Sequence, residues 1–211
     1  MIEKYNHVIW DWNGTIINDV ELCVDVGNNL FRRKKIPTIT VEKYKSIFTI
    51  PVKDYYIAAG FDFKKESFEK IGKEWMDEYE ERKYKCKLHQ GVFDLMKKLN
   101  DLGIEQSILS AYNQKNLLEM VRYFDIEKFH SFIIGLDNIY AASKLHLGLN
   151  LIEKVKKKNE KILMIGDTIH DFEVAKSMGI DCVLFTGGHQ NKEKLISCGV
   201  PVFDSFNTLL K

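Results

Sequence analysis

The sequence predicts an α/β protein: a three-layer parallel-sheet core interrupted, just after its first strand, by a small all-helical insertion. Three observations predict this. One apolar run, residues 5–11, stands alone near the start and ends in Asp11 and the turn pair Asn13-Gly14. Residues ~16 to ~88 then carry apolar positions at helical spacing. After Gly91, short apolar runs alternate with amphipathic segments, the pattern of repeated β-α units in a parallel sheet.

The elements follow in order. Residues 5–11 read as a short buried strand. Asn18, with Glu21 three residues on, reads as the N-cap of a helix whose inner face is Val20, Val24, Gly27 and Phe31. Residues 41–48 and 52–59 read as short helices, the second opened by Pro51, and Phe68, Ile71, Trp75 and Tyr79 mark one face of a longer helix. A helix over 95–102, closed by Gly103, leads to a strand at 107–110, a helix at 114–123 and a strand at 132–134. A helix after Lys144, a strand at 162–165, a helix at 172–178, a strand at 182–185, a helix around Leu195 and a short strand near Val202 complete the reading. The basic run 154–158 reads as a solvated helix face.

Composition narrows the function classes. In 211 residues, 31 Lys+Arg against 30 Asp+Glu leave a formal net charge of +1, so no overall field favours nucleic acid or an anionic membrane. No apolar run approaches the ~20 residues of a membrane-spanning helix. Cys23, Cys86, Cys182 and Cys198 are widely spread, without C-x-x-C spacing and without a signal-peptide pattern before them. A cytoplasmic protein is expected.

In open parallel sheets, ligands bind at the carboxyl ends of the strands, where loops and helix N-termini converge. Asp11, Ser110 and Asp167 fall at predicted strand ends, with Asp171 in the following loop and Lys144 at a helix start. Carboxylates supply the oxygen ligands that Mg²⁺ prefers, while a lysine and a serine position phosphoryl oxygens. Together these residues suit a divalent cation holding a phosphate.

These residues resemble the haloacid dehalogenase-like (HAD) superfamily. Asp11-Trp12-Asn13-Gly14-Thr15 looks like its first motif, Ile108-Leu109-Ser110 its second, Lys144 its third and Gly166-Asp167-Thr168-Ile169-His170-Asp171 its fourth. The resemblance implies a Rossmann-like core over 1–15 and 89–211, and over 16–88 a helical cap similar to that of the phosphoglycolate phosphatase and β-phosphoglucomutase branch. It also implies a mechanism. Asp11 would attack the phosphorus of a small phosphorylated metabolite, and water would hydrolyse the aspartyl-phosphate. A Mg²⁺ ion would sit on Asp11, the Asn13 carbonyl and Asp167, with Asp171 orienting Lys144 or reaching the metal through water. Ser110 and Lys144 would hold phosphoryl oxygens, with Ala111 and Thr15 also among the substrate-binding residues, and Gly14 and Thr15 would shape the first loop.

Asn13 departs from the pattern, because most phosphatases of the superfamily carry a second Asp there. An amide hydrogen-bonds but shuttles no proton at neutral pH. Three outcomes stay open: a phosphatase restricted to good leaving groups, an enzyme that recruits another base, or a slow phosphate-binding or regulatory protein. His170 and His189 follow strand ends and are candidates for the base, with a structural role the simpler reading of each. Residues 48–53 resemble a substrate-facing cap loop, in which Lys53 is either a contact for an anionic leaving group or an exposed lysine at a helix start. With Lys53 as a Schiff-base lysine, a phosphonoacetaldehyde hydrolase is the alternative enzyme, whereas dehalogenation has little use for Asp167 with Asp171. The cap aromatics Phe61, Phe63, Phe68, Trp75 and Tyr79 read as the cap's own small core.

Overall fold

The computed structural model describes residues 2–141, 143–155 and 161–209. Strand β1, His7–Trp10, is buried along its whole length. β2, Ile17–Asn18, follows, and then come four helices: α1 Val20–Arg33, α2 Val41–Ile47, α3 Val52–Ala58 and α4 Phe68–Arg82. The chain returns through β3, Lys87–Leu88, to α5 Val92–Asp101, β4 Glu105–Asn113, α6 Gln114–Tyr123 and β5 Phe132–Leu136. It ends with α7 Leu145–Val155, β6 Ile162–Gly166, α8 Ile169–Met178, β7 Asp181–Phe185, α9 Lys192–Ile196 and β8 Val202–Phe203. Of the basic run, Lys156, Lys157 and Lys158 lie outside the described residues.

Six strands form one parallel sheet in the order β5-β4-β1-β6-β7-β8. Alternation along the strands divides the core. Val8, Trp10, Leu163 and Ile165 pack under α5, α6 and the helical insert, while Ile9, Met164 and Leu184 face α7, α8 and α9. β1 lies between β4 and β6, so the chain order reverses across it and a crevice opens at the carboxyl ends. The three-layer α/β arrangement is the one the sequence predicts.

Differences are local. Residues 16–88 are not wholly helical, because Ile17–Asn18 pairs antiparallel with Lys87–Leu88 where the chain leaves and re-enters the core. Two residues are too few for a period-2 pattern. The N-cap of α1 is Asp19 rather than Asn18, and its side chain makes no capping bond. β4 continues past Ser110 because four steps along it, Leu109 to Asn113, match two along β5, Ile134 to Leu136. That bulge frees Ser110 and Ala111 from regular pairing at the crevice.

Two histidines that do not line the cavity tie stability to pH. His89 and His130 each leave a buried Nε2 without a partner, and burial lowers the pKa of each to about 4. Their folded pKa values lie below the free value near 6.5, so the stability present above pH ~6.5 is lost as pH falls toward 4. The slope reaches about 1.4 kcal/mol per pH unit for each histidine. Urea unfolding at pH 7, 6, 5 and 4 checks this; constant unfolding free energy would contradict it.

Candidate active site

Asp11 is the first residue past β1 and is anchored by its own N–H, which donates to the Ile165 carbonyl at 2.9 Å. Asp167 takes the same place after β6, and the short Gly166 lets Asp171 pack against the strand end: a Cβ there would lie 2.3 Å from the Asp171 side chain. Lys144, immediately before α7, is only 1% exposed. Its ammonium hydrogen-bonds Asp11 Oδ1, lies 2.7 Å from Asp171 Oδ1 and donates to the Leu109 carbonyl at 2.9 Å. All three of its donors are committed.

The acidic groups divide by partner. Asp171 closes a capping box on α8, its Oδ2 accepting from Thr168 N at 2.9 Å and Thr168 Oγ1 at 2.6 Å. Burial pulls its pKa upward, but the Lys144 charge and these hydrogen bonds outweigh burial and lower it. Asp11 goes the other way: burial and the Asp171 charge push it well above the usual carboxylate range against the opposing pull of Lys144. Asp167 is raised by burial and by Asp171 to about 6, while His189 opposes.

The carboxylates of Asp11, Asp167 and Asp171 approach within 4.8 Å of one another, all buried. Lys144 and, for Asp167, the His189 charge balance them only in part. A recess of hard oxygen donors in which two acids resist ionisation fits a divalent cation, whose charge removes the cause of the upward shifts. Lys144 and the Thr168 bonds already keep Asp171 ionised, whereas Asp11 and Asp167 are the two held upward, so these are the donors whose charge a cation would relieve.

Most of the expected site residues gather at one mouth. Asp11, Asn13, Ser110, Ala111, Lys144, Asp167 and Asp171 all line a cavity of about 130 Å³ between the sheet and the insert. Thr15 does not: fully buried, it donates to Asp167 Oδ1 at 2.9 Å and so positions that carboxylate instead of meeting a ligand. Lys53 stands outside as well, exposed, with its ammonium over the Phe63 and Phe68 rings at 5.6 and 5.9 Å. His170 lies behind Lys144, its Nε2 3.4 Å from the Lys144 N–H, and burial lowers its pKa.

A polar network beside Asn13 escaped the sequence reading. Asp19 turns back from α1, accepting from Gly14 N at 2.9 Å, Asn13 Nδ2 at 2.7 Å and Tyr79 OH at 2.9 Å. His189 Nε2 lies 3.3 Å from Asp19 Oδ1, and its Nδ1 meets Tyr44 OH at 2.8 Å. Burial acts against both charges, yet the pair outweighs it, lowering Asp19 to about 2 and raising His189 to about 8. The His189 N–H also donates to Asp167 Oδ2 at 2.6 Å. His189 thus has a structural position inside the site. Asp19 had one signal, an acidic residue next to a plausible cap, and the cap assignment went to its neighbour.

The aromatics divide too. Phe61 and Phe63 stack at 6.2 Å within the insert's own core, whereas Phe68, Trp75 and Tyr79 line the cavity. The expectation that all five only fill the insert is corrected on that point.

A parallel sheet whose reversal point collects a strand-end Asp, a bulged Ser, a buried Lys and a second Asp pair defines a hydrolase site built for an anion. Residues 8–185 match the family described as haloacid dehalogenase-like hydrolase, and the chain belongs to that family. It is similar to pyrophosphatase PpaX of Listeria monocytogenes, 24% identical over 190 residues that cover 84% of this chain and 81% of the relative. It is also similar to a phosphoglycolate phosphatase of Rhodobacter capsulatus, 22% identical over 187 residues covering 87% and 85%. In fold it matches a haloacid dehalogenase-like family hydrolase from Streptococcus pneumoniae, with TM-score 0.83 at 16% identity over 100% of this chain and 98% of the other. No helix among the described residues is long and apolar enough to cross a membrane.

Proposed function

We propose that the chain is a Mg²⁺-dependent phosphatase that hydrolyses a small phosphorylated metabolite through an aspartyl-phosphate on Asp11. The observation that carries this reading is Lys144 gripping Asp11 and Asp171 beside Asp167, with Ser110 at the same mouth. Relatives named pyrophosphatase and phosphoglycolate phosphatase support the chemistry.

Lys144 fixes one oxygen of Asp11 and leaves the other to attack phosphorus, so an O–P bond forms as the bond to the leaving oxygen breaks. Ser110 holds a phosphoryl oxygen, and Lys144, with its donors given to Asp11, Asp171 and the Leu109 carbonyl, draws the phosphoryl group by its charge. Asp11, Asp167 and the Asn13 carbonyl would hold Mg²⁺, which when bound supplies the positive charge that lets one anion approach another. Thr15 and the His189 N–H keep Asp167 turned toward the site. Residues 16–88 serve as a cap over a core of 1–15 and 89–211, and exclude water during the first displacement. Lys53, exposed on the outside of the cavity, lends no support to a Schiff-base reaction.

Acetyl phosphate hydrolysis tests the reading. Turnover is expected with Mg²⁺, lost in excess chelator and restored by added Mg²⁺; a rate indifferent to chelator would take the metal out of the mechanism.

A further inference from the structure

We propose that the group carried by the phosphate is aromatic, so that the substrate is a small aryl phosphate; this rests on the phosphatase reading above. The cavity beyond Asp11 has the shape and the lining for one ring. The whole cavity, catalytic end included, holds about 130 Å³, so the group must be compact, on the scale of the ring that a cavity of roughly 150 Å³ accepts.

One wall is a single face of α4, in which Phe68, Gly72, Trp75, Met76 and Tyr79 recur at helical spacing. Trp75 and Tyr79 stack on each other, centroids 5.0 Å apart and planes 15° apart, so the wall already carries a stacked aromatic pair that a further ring could extend. Gly72 leaves a slot in the same face, where a Cβ would find its nearest neighbour 3.9 Å away. Phe48, Ile50, Val52 and Tyr55 line the cavity as well.

Charge points the same way. Among the described residues lining the cavity, the lysine is Lys144, whose donors are spent at the phosphate end, and His189 is tied to Asp19 and Tyr44. A carboxylate or a second phosphate on the leaving group would therefore be buried without a counter-charge, whereas a ring would stack.

Asn13 supplies an independent argument. Its amide delivers no proton to a departing oxygen, and its Nδ2 is engaged by Asp19 and Tyr79. A phenol has a pKa near 10, as in tyrosine, far below that of an alcohol. As the Asp11 oxygen bonds to phosphorus, the P–O(aryl) electron pair departs on a phenoxide, which takes its proton from water after release. Unaided departure suits this site.

The experiment compares kcat/KM for phenyl phosphate, phosphoglycolate and pyrophosphate with Mg²⁺ present, beside the Asp11→Asn variant. Phenyl phosphate is expected to exceed phosphoglycolate by about 100-fold, the lower range of what a missing general acid costs a poor leaving group, and to exceed pyrophosphate because the second phosphate finds no counter-charge. Trp75→Ala should lower that advantage about tenfold, and Trp75→Phe should retain most of it. Equal or better use of phosphoglycolate or pyrophosphate by the wild type overturns the aryl assignment and leaves the phosphatase standing. Absence of any Asp11-dependent hydrolysis, acetyl phosphate included, overturns the phosphatase itself.

Discussion

Replacing Asp11 with Asn is expected to abolish turnover, by about 10⁴-fold or more, and at the same time to leave the metal-free protein more stable. The first effect follows from removing the nucleophile. The second follows from the surroundings of the carboxylate. Burial and the Asp171 charge hold Asp11 well above the usual carboxylate range. A raised folded pKa means that ionisation costs stability at pH values above the free value near 3.9. The amide is isosteric and uncharged, and Lys144 keeps Asp171 at 2.7 Å. A higher melting temperature is expected. Steady-state kinetics and thermal melting check both halves. Residual turnover near the wild-type rate would show that Asp11 is not the nucleophile.

Asn13→Asp, the substitution that restores the superfamily's usual residue, is expected to fail alone and succeed in company. Asn13 Nδ2 donates to Asp19 Oδ2 at 2.7 Å, and Asp19 is buried and ionised, its pKa lowered to about 2. A carboxylate at residue 13 would turn that donor into a second acceptor against a buried like charge. His189 offsets only part of it. The cost is about 3 kcal/mol at neutral pH. The introduced group has a raised folded pKa, so the deficit shrinks as pH falls toward its free value near 4. Pairing Asn13→Asp with Asp19→Asn reverses the polarity of the hydrogen bond and returns the net charge. The double variant should recover stability and raise kcat on an alkyl phosphomonoester by 10²-fold or more, in the ~10²–10⁴ range of general acid–base catalysis. A double-mutant cycle measures the coupling. Additive effects would show that the two side chains do not communicate.

What the chain reveals before folding depends on distance along it. Asp11, Ser110 and Asp167 are legible because each ends an apolar run, and a strand end in a parallel sheet has one place to go. Lys144 is legible by its order among them. The Asp19–His189–Tyr44 network is not, because its members lie on α1, on the loop after β7 and on α2 and meet only through tertiary packing. His189 in a Gly-Gly-His-Gln loop carries no periodic signal, and a cap residue such as Asp19 reads as local structure. Trp75 and Tyr79 show the complementary failure. Helical spacing places them on one inward face of α4, but it does not distinguish a neighbouring helix from a ligand, and the cavity corrects the reading of that face as the cap's own core. β2 and β3, two residues each, become strands only through each other.

That ladder between β2 and β3 has an evolutionary reading. Antiparallel partners can be joined by a two-residue hairpin, so the base of the insert is already a junction: Ile17 faces Leu88 and Asn18 faces Lys87. Lineages could exchange the whole roof at that seam without altering the order of the six-stranded sheet, and thereby inherit new selectivity while the acid, the lysine and the serine beneath it stay in register.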